Sequence, residues 1–163
     1  MKRRLLWVLA VLALFIVAAT LALTQVQMGA LPRPGRAEQF VATQIKRFVI
    51  HRESRSGVPP PPQDLQASIA QGETGYGTDC SMCHGMDGHT PTDTGRWMYP
   101  RAADLTSSSV QAYSDPELFW IIKNGIRFSG MPGFGKVESD EHIWDLVNYI
   151  RRLKKGKSGS GSD

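Results

Sequence analysis

The chain has 163 residues, a formal net charge of +4, four histidines and two cysteines. Two cysteines exclude a multiply disulfide-stapled scaffold. The positive charge is uneven: residues 1–55 hold nine Lys/Arg against two acids, and residues 64–155 hold nine against twelve. The C-terminal part is thus mildly acidic, and with no basic stripe interleaved with aromatics it excludes a nucleic-acid-binding surface.

Met1-Lys2-Arg3-Arg4 leads into Leu5–Leu23, nineteen residues without a charge, and the uncharged run continues to Gln27. That length suffices to span a bilayer. It exceeds the apolar core of a signal peptide, and Thr20-Leu21-Ala22 is a poor cleavage site, so an uncleaved anchor over 1–28 is expected. Lys2, Arg3 and Arg4 favour a cytoplasmic N-terminus. Residues 29–56 form a basic juxtamembrane segment in which Ala37, Phe40, Val41, Ile45, Phe48 and Val49 recur at helical spacing. This helix is expected to lie on the membrane surface or against another subunit. Residues 57–63 follow, with four consecutive prolines, Pro59 to Pro62, predicting a stiff, extended spacer.

Residues 64–155 read as helices throughout. Asp64 is placed to cap a helix through Leu65, Ile69 and Tyr76, although Gly72, Gly75 and Gly77 weaken its second half. Asp115-Pro116-Glu117 predicts a helix start with Asp115 as cap and Pro116 at the first position. Its apolar run, Leu118 to Ile122, stops at Asn124-Gly125. Ser139-Asp140-Glu141 opens a last helix whose Ile143, Leu146, Val147, Ile150 and Leu153 form a 3.6-residue stripe. Arg151, Arg152, Lys154 and Lys155 crowd its end, where the helix dipole favours cations. No strand pattern competes, so the fold class is all-α. The tail, 156–163, is Gly/Ser-rich and reads as flexible.

Both cysteines fall in Cys80-Ser81-Met82-Cys83-His84, the spacing of a c-type haem attachment site. Cys80 and Cys83 would carry the thioethers and His84 the proximal bond to iron. A thioredoxin-like pair lacks its βαβ context here, and a zinc site lacks a second ligand pair. A second axial ligand is offered by Met131 in the glycine-rich loop Ser129 to Gly135, since a thioether is a soft ligand that favours ferrous iron. Met82 lies inside the motif, Met86 lies too near the proximal side, and Met98 has weaker surroundings. His89 is a minor rival ligand, His142 in the first turn of the last helix reads as a surface residue, His51 belongs to the basic run beyond the amphipathic segment, and none has a catalytic setting. A domain this small buries a modest fraction of its surface, so the macrocycle is expected to complete the core with Phe119, Trp120, Ile126, Phe128 and Trp144.

Residues 64–155 resemble a class I c-type cytochrome: an N-terminal helix leading into Cys-x-x-Cys-His, a distal methionine loop and a C-terminal helix crossing the first. The resemblance implies three to five helices around one covalent haem c, behind a single transmembrane helix. It places the thioethers on Cys80 and Cys83, the axial ligands on His84 and Met131, and close helix crossing at the small residues before the motif. It also implies a carbonyl acceptor for the His84 ring N–H within Tyr99 to Leu105, from Pro100 or Ala103. Trp97 and Arg101 are candidates to hold a haem propionate. The activity implied is single-electron transfer between redox complexes, with no small-molecule substrate, on the periplasmic side of the inner membrane. The chain would be a carrier rather than an enzyme, in a respiratory or photosynthetic complex. Alternatives are a relay subunit of a membrane dehydrogenase, or a ligand-binding or peroxidase haem with an open sixth position.

Overall fold

The computed structural model describes residues 2–24, 29 and 34–153. Among them are eight helices and no strand, as the sequence pattern requires: α1 (Lys2–Thr24), α2 (Arg36–Glu53), α3 (Leu65–Asp79), α4 (Ser81–His84), α5 (Asp93–Trp97), α6 (Ser108–Gln111), α7 (Asp115–Asn124) and α8 (Asp140–Arg152). Lys154, Lys155 and the 156–163 tail lie outside the described residues. Helix α1 carries the uncharged run and is solvent-exposed throughout, long and apolar enough to cross a membrane.

Helix α3 begins where Asp64 Oδ1 accepts hydrogen bonds from the backbone N–H of Gln66 (3.1 Å) and Ala67 (3.0 Å). Its glycines do not break it, because burial against α8 outweighs their poor propensity. Gly72 and Gly75 are both buried at the crossing. A Cβ on Gly72 would strike the Asp145 carbonyl, and one on Gly75 would strike the His142 ring. The helices therefore meet backbone to backbone. Around that crossing Tyr76, Phe119, Ile143, Leu146 and Val147 are fully buried. Ser68 Oγ donates to Asp145 Oδ1 (2.5 Å) and accepts from Asn148 Nδ2 (2.8 Å), so the polar groups inside the crossing are paired.

Helix α7 starts one residue earlier than the sequence suggests. Ser114 is the cap, Asp115 and Pro116 occupy the first two positions, and Glu117 returns a bond to the Ser114 N–H (2.7 Å). The reciprocal Ser/Glu pair satisfies two end donors where Asp115 would satisfy one. Gly125, at φ 70°, closes the helix.

Helix α2 departs most from expectation. Its C-terminal half packs on the helices of residues 64–153: Ile50 is 1% exposed, and Ser54 is buried behind it. Arg47 lies over the Tyr113 ring and donates to the Ser109 carbonyl (3.2 Å), while His51 Nδ1 is 3.1 Å from Glu117 Oε1. The proline run does not hold the helix away. Trp144 Nε1 donates to the Pro59 carbonyl (3.0 Å), which fastens the extended segment to α8. An extended segment leaves its carbonyls free to accept, and a buried indole N–H needs an acceptor.

Candidate functional site

The two cysteines sit on one helical turn. Cys80 closes α3 with its N–H on the Tyr76 carbonyl (3.0 Å), and its own carbonyl accepts from Cys83 (3.1 Å) and His84 (3.0 Å). Residues three apart on a helix share a face, so both thiols look the same way. Gly85 ends the turn at φ 76°, where a Cβ would strike the Thr90 carbonyl. Its carbonyl accepts from the buried Tyr76 hydroxyl (2.8 Å), which ties the motif to the core.

His84 Nδ1 lies 2.8 Å from the Ala103 carbonyl oxygen. A carbonyl only accepts, so Nδ1 carries the proton and Nε2 keeps its lone pair. The acceptor is Ala103, and Pro100 has a different place, in the cavity wall beyond a cis Tyr99–Pro100 peptide. Ala102 N–H to the Gly95 carbonyl (2.9 Å) and Leu105 N–H to the Gly88 carbonyl (2.7 Å) hold this segment across α5 and the preceding loop.

The Met131 loop folds back on the end of α7. Gly135 N–H donates to the Lys123 carbonyl (2.9 Å), Phe134 N–H to the Ile122 carbonyl (3.0 Å), and Met131 N–H to Ser129 Oγ (3.2 Å). Between the loop and the motif is a cavity of about 1160 Å³, counting its open mouth, with a mainly apolar wall. Cys80, Cys83, His84, Met131, Pro100 and Arg101 all reach it.

Electrostatics favour a prosthetic group over free-thiol chemistry. Burial, then the charges of Asp79 and Cys83, pushes the Cys80 thiol up to about 12. A redox or nucleophilic cysteine needs the opposite shift. Burial lowers the His84 pKa, against the raising effect of the Ala103 bond. The ring is therefore held neutral, the form that ligates a metal. Two thiols on one face, a free imidazole nitrogen, a thioether and an apolar cleft fit a covalently attached haem.

A family model described as cytochrome c oxidase, cbb3-type, subunit III, matches residues 67–150, just over half of the chain. The chain belongs to this family of c-type cytochromes. Its cofactor is haem c, covalently bound and carrying iron, and its general role is electron transfer. No curated protein matches the chain. Among solved structures it is similar to a chain of the Kuenenia stuttgartiensis reducing HAO-like protein complex Kustc0457/Kustc0458, at 22% identity and a TM-score of 0.55. That match covers 61% of this chain and 49% of the other, so the cytochrome spans about half the length of its neighbour, and the likeness concerns the fold. It also matches the KustC0563 c-type cytochrome at 32% identity and a TM-score of 0.46, over 52% of this chain and 98% of that one.

The structure redraws part of the predicted site. Trp97 is 75% exposed and does not line the cytochrome's cavity, because α5 turns its side chain outward; Arg101 does line it. Phe128, at φ 60° in the distal loop, is 92% exposed rather than packed in the core. Phe119 and Trp144 pack on each other at 5.0 Å, outside the cavity, and of the five side chains expected around the macrocycle only Ile126 lines it. Leu118, Ile121, Ile122 and Phe134 supply the wall instead.

His89 is occupied by Asp104 (2.9 Å) and stays out of the cavity. His142 is not a free surface residue: its Nε2 lies 2.9 Å from Asp79 Oδ2, linking the ends of α3 and α8. Several cavity residues, among them Lys46, Ile50, Val110 and Tyr113, were not singled out as site residues by the sequence reading, and Met98 was weighed there only as a weaker ligand. Met98 packs its sulfur against Gly130, one residue from Met131, and Lys46 and Ile50 arrive from α2. Ile50 was findable, as the apolar residue of α2 that falls off the Phe40–Phe48 stripe. Nothing in local sequence marks Lys46 or Met98.

Proposed function

We propose that this cytochrome is tethered by residues 1–28 to the inner membrane and that its haem domain, residues 64–155, faces the periplasm. There it passes single electrons between protein complexes. The observation that carries the reading is the convergence of Cys80, Cys83, His84 and Met131 on one apolar cavity, with the His84 ring already oriented by Ala103. Cys80 and Cys83 would hold the macrocycle by thioethers, and His84 Nε2 and Met131 would be the axial ligands. The bound iron supplies a one-electron couple, which a methionine ligand shifts toward the ferrous side.

The protein residues have separable tasks. The Ala103 carbonyl fixes the His84 tautomer and raises the ring's basicity as a ligand. The apolar wall excludes water. Lys46 and Arg101, which among the described residues are the Lys/Arg side chains that reach the cavity, would meet the haem carboxylates. Burial, and then the neighbouring Arg47, lower the Lys46 pKa. The family's description as an oxidase subunit supports a relay inside a larger membrane complex over a free shuttle.

The test is the distal ligand. Met131→Ala in the haem-loaded chain should let the reduced protein bind carbon monoxide at neutral pH and should lower its potential. Met98→Ala should do neither. If M98A opens the iron and M131A does not, the ligand is misassigned. If wild type already binds carbon monoxide, the carrier reading gives way to a ligand-binding haem.

A further inference from the structure

We propose that α2 is an in-plane membrane helix whose exposed apolar face lies among the lipid headgroups, holding the cytochrome domain against the bilayer at a fixed orientation. The inference rests on the reading of α1 as an anchor, and it follows from the two faces of α2. Thr43, Arg47, Ile50 and Ser54 recur at spacings of three and four residues and form the side turned to the haem domain, where Ile50 and Ser54 are buried. Val41, Ile45 and Phe48 form a second stripe centred well over 100° around the helix at 100° per residue, and Phe40 flanks it toward the docked side. All four are exposed, the two phenylalanines 65% and 67% so. A helix that needed only to pack on its own domain would carry polar residues there.

The occupant of that stripe is argued from reach, charge and size. Residues 25–35 join α1 to α2. Eleven residues extend at most about 40 Å, so α2 never leaves the neighbourhood of the membrane that α1 enters. Of the helix's cations, Lys46 and Arg47 face the domain, which leaves the exposed Arg36 near its start and Arg52, on the stripe side, near its end to meet anionic headgroups. Four side chains along a helix about 27 Å long are a narrow seam, well short of the 20–30 residues a side that a stable protein interface uses. An in-plane helix needs no more than such a seam.

The consequence is orientation. The docked side of α2 forms part of the cavity wall through Lys46 and Ile50, and contacts α7 through His51 and Glu117. A bilayer under the opposite side would therefore fix the tilt of the haem and the height of its cavity above the lipid.

The experiment uses the haem-loaded full chain in vesicles of phosphatidylcholine and phosphatidylglycerol. Its native cysteines are engaged by haem, so single nitroxide labels can be placed at Val41→Cys, Ile45→Cys and Phe48→Cys. Gln39→Cys and Ala42→Cys serve as water-facing positions, and Leu12→Cys reports on α1. Labels at 41, 45 and 48 should show a several-fold higher ratio of oxygen to nickel-chelate collisions than labels at 39 and 42. Equal, water-like ratios at all five, with a lipid-embedded label at 12, would overturn the in-plane helix while leaving the anchor intact. A water-exposed label at 12 would overturn the anchor and this proposal together. Labels at 41, 45 and 48 shielded from both reagents would mean that protein covers the face, which also overturns it. As a second readout, linear dichroism of the haem band in aligned bilayers should be lost in V41S/I45S/F48S; retention would count against the proposal.

Discussion

The α3–α8 crossing allows one substitution to be tried at three sites on one helix with three different outcomes. At Gly77 an added Cβ meets nothing within 4 Å. Gly77→Ala should therefore gain the ordinary helix preference for alanine, about 0.5–1 kcal/mol. At Gly72 the same atom would strike the Asp145 carbonyl group and lie 2.9 Å from Tyr149 Cβ. Those neighbours are α8 backbone and the root of a side chain, which cannot swing aside. Overpacking costs about 1–3 kcal/mol, and an unyielding wall puts Gly72→Ala at the top of that range. After the helix gain is subtracted, the net loss is about 2 kcal/mol. Gly75→Ala should fall between, because it meets the His142 ring and Leu146 Cδ2, which can yield.

The gap between the extremes is near 3 kcal/mol, or about 12–24 °C of melting temperature for a domain this size. The assay is loss of haem-band circular dichroism on heating the haem-loaded chain in detergent, a signal to which α1 does not contribute. If G72A melts with wild type or above it, the close crossing that sets Cys80 and His84 is not as described.

Two further outcomes can be checked together with the axial-ligand test. Lys46→Gln should lower the reduction potential by about 10–40 mV, the equivalent of the 0.2–1 kcal/mol of an exposed ion pair, whereas Arg52→Gln, on the side chain paired with Glu53, should not; identical potentials in a spectroelectrochemical titration would remove Lys46 from the site. The Glu117 carboxyl is held below its ordinary 4.5: burial opposes this, but the bonds from Ser114 and His51 prevail. A depressed folded pKa means stability that is present above about 4.5 and lost as pH falls below it, so contact between α2 and α7 should loosen under acid in wild type and much less in Glu117→Gln. Hydrogen exchange at Ile50 and Ser54 would show it, and an acid-insensitive wild type would count against the role of this pair.

How much could be read ahead of the structure depended on the range of the interaction. The attachment motif, the Asp64 and Ser139 caps and the α8 stripe are set by residues a few positions apart, and they stand where the pattern put them. The crossing at Gly72 and Gly75 was accessible only through the family resemblance, since glycines in a helix otherwise signal weakness. Side-chain direction was the main failure. Trp97, a candidate propionate contact, and Phe128, expected around the macrocycle, were both read as facing the haem, but a short helix and a left-handed backbone residue send them out. The same limit applied to α2, whose Phe40–Phe48 stripe drew notice while Ile50, one apolar residue off that stripe, made the contact. The Ala103 acceptor needed three dimensions, because two carbonyls three residues apart are equivalent on paper.

Lys46 and Ile50 lie outside the stretch, 67–150, that defines the family, yet both close the cavity. The α2 arm is consequently not interchangeable packaging. Swapping it for a foreign tether, or trimming an expression clone at the family boundary, would leave the pigment with one wall missing, so a fusion point that preserves the native colour and potential belongs upstream of Gly35.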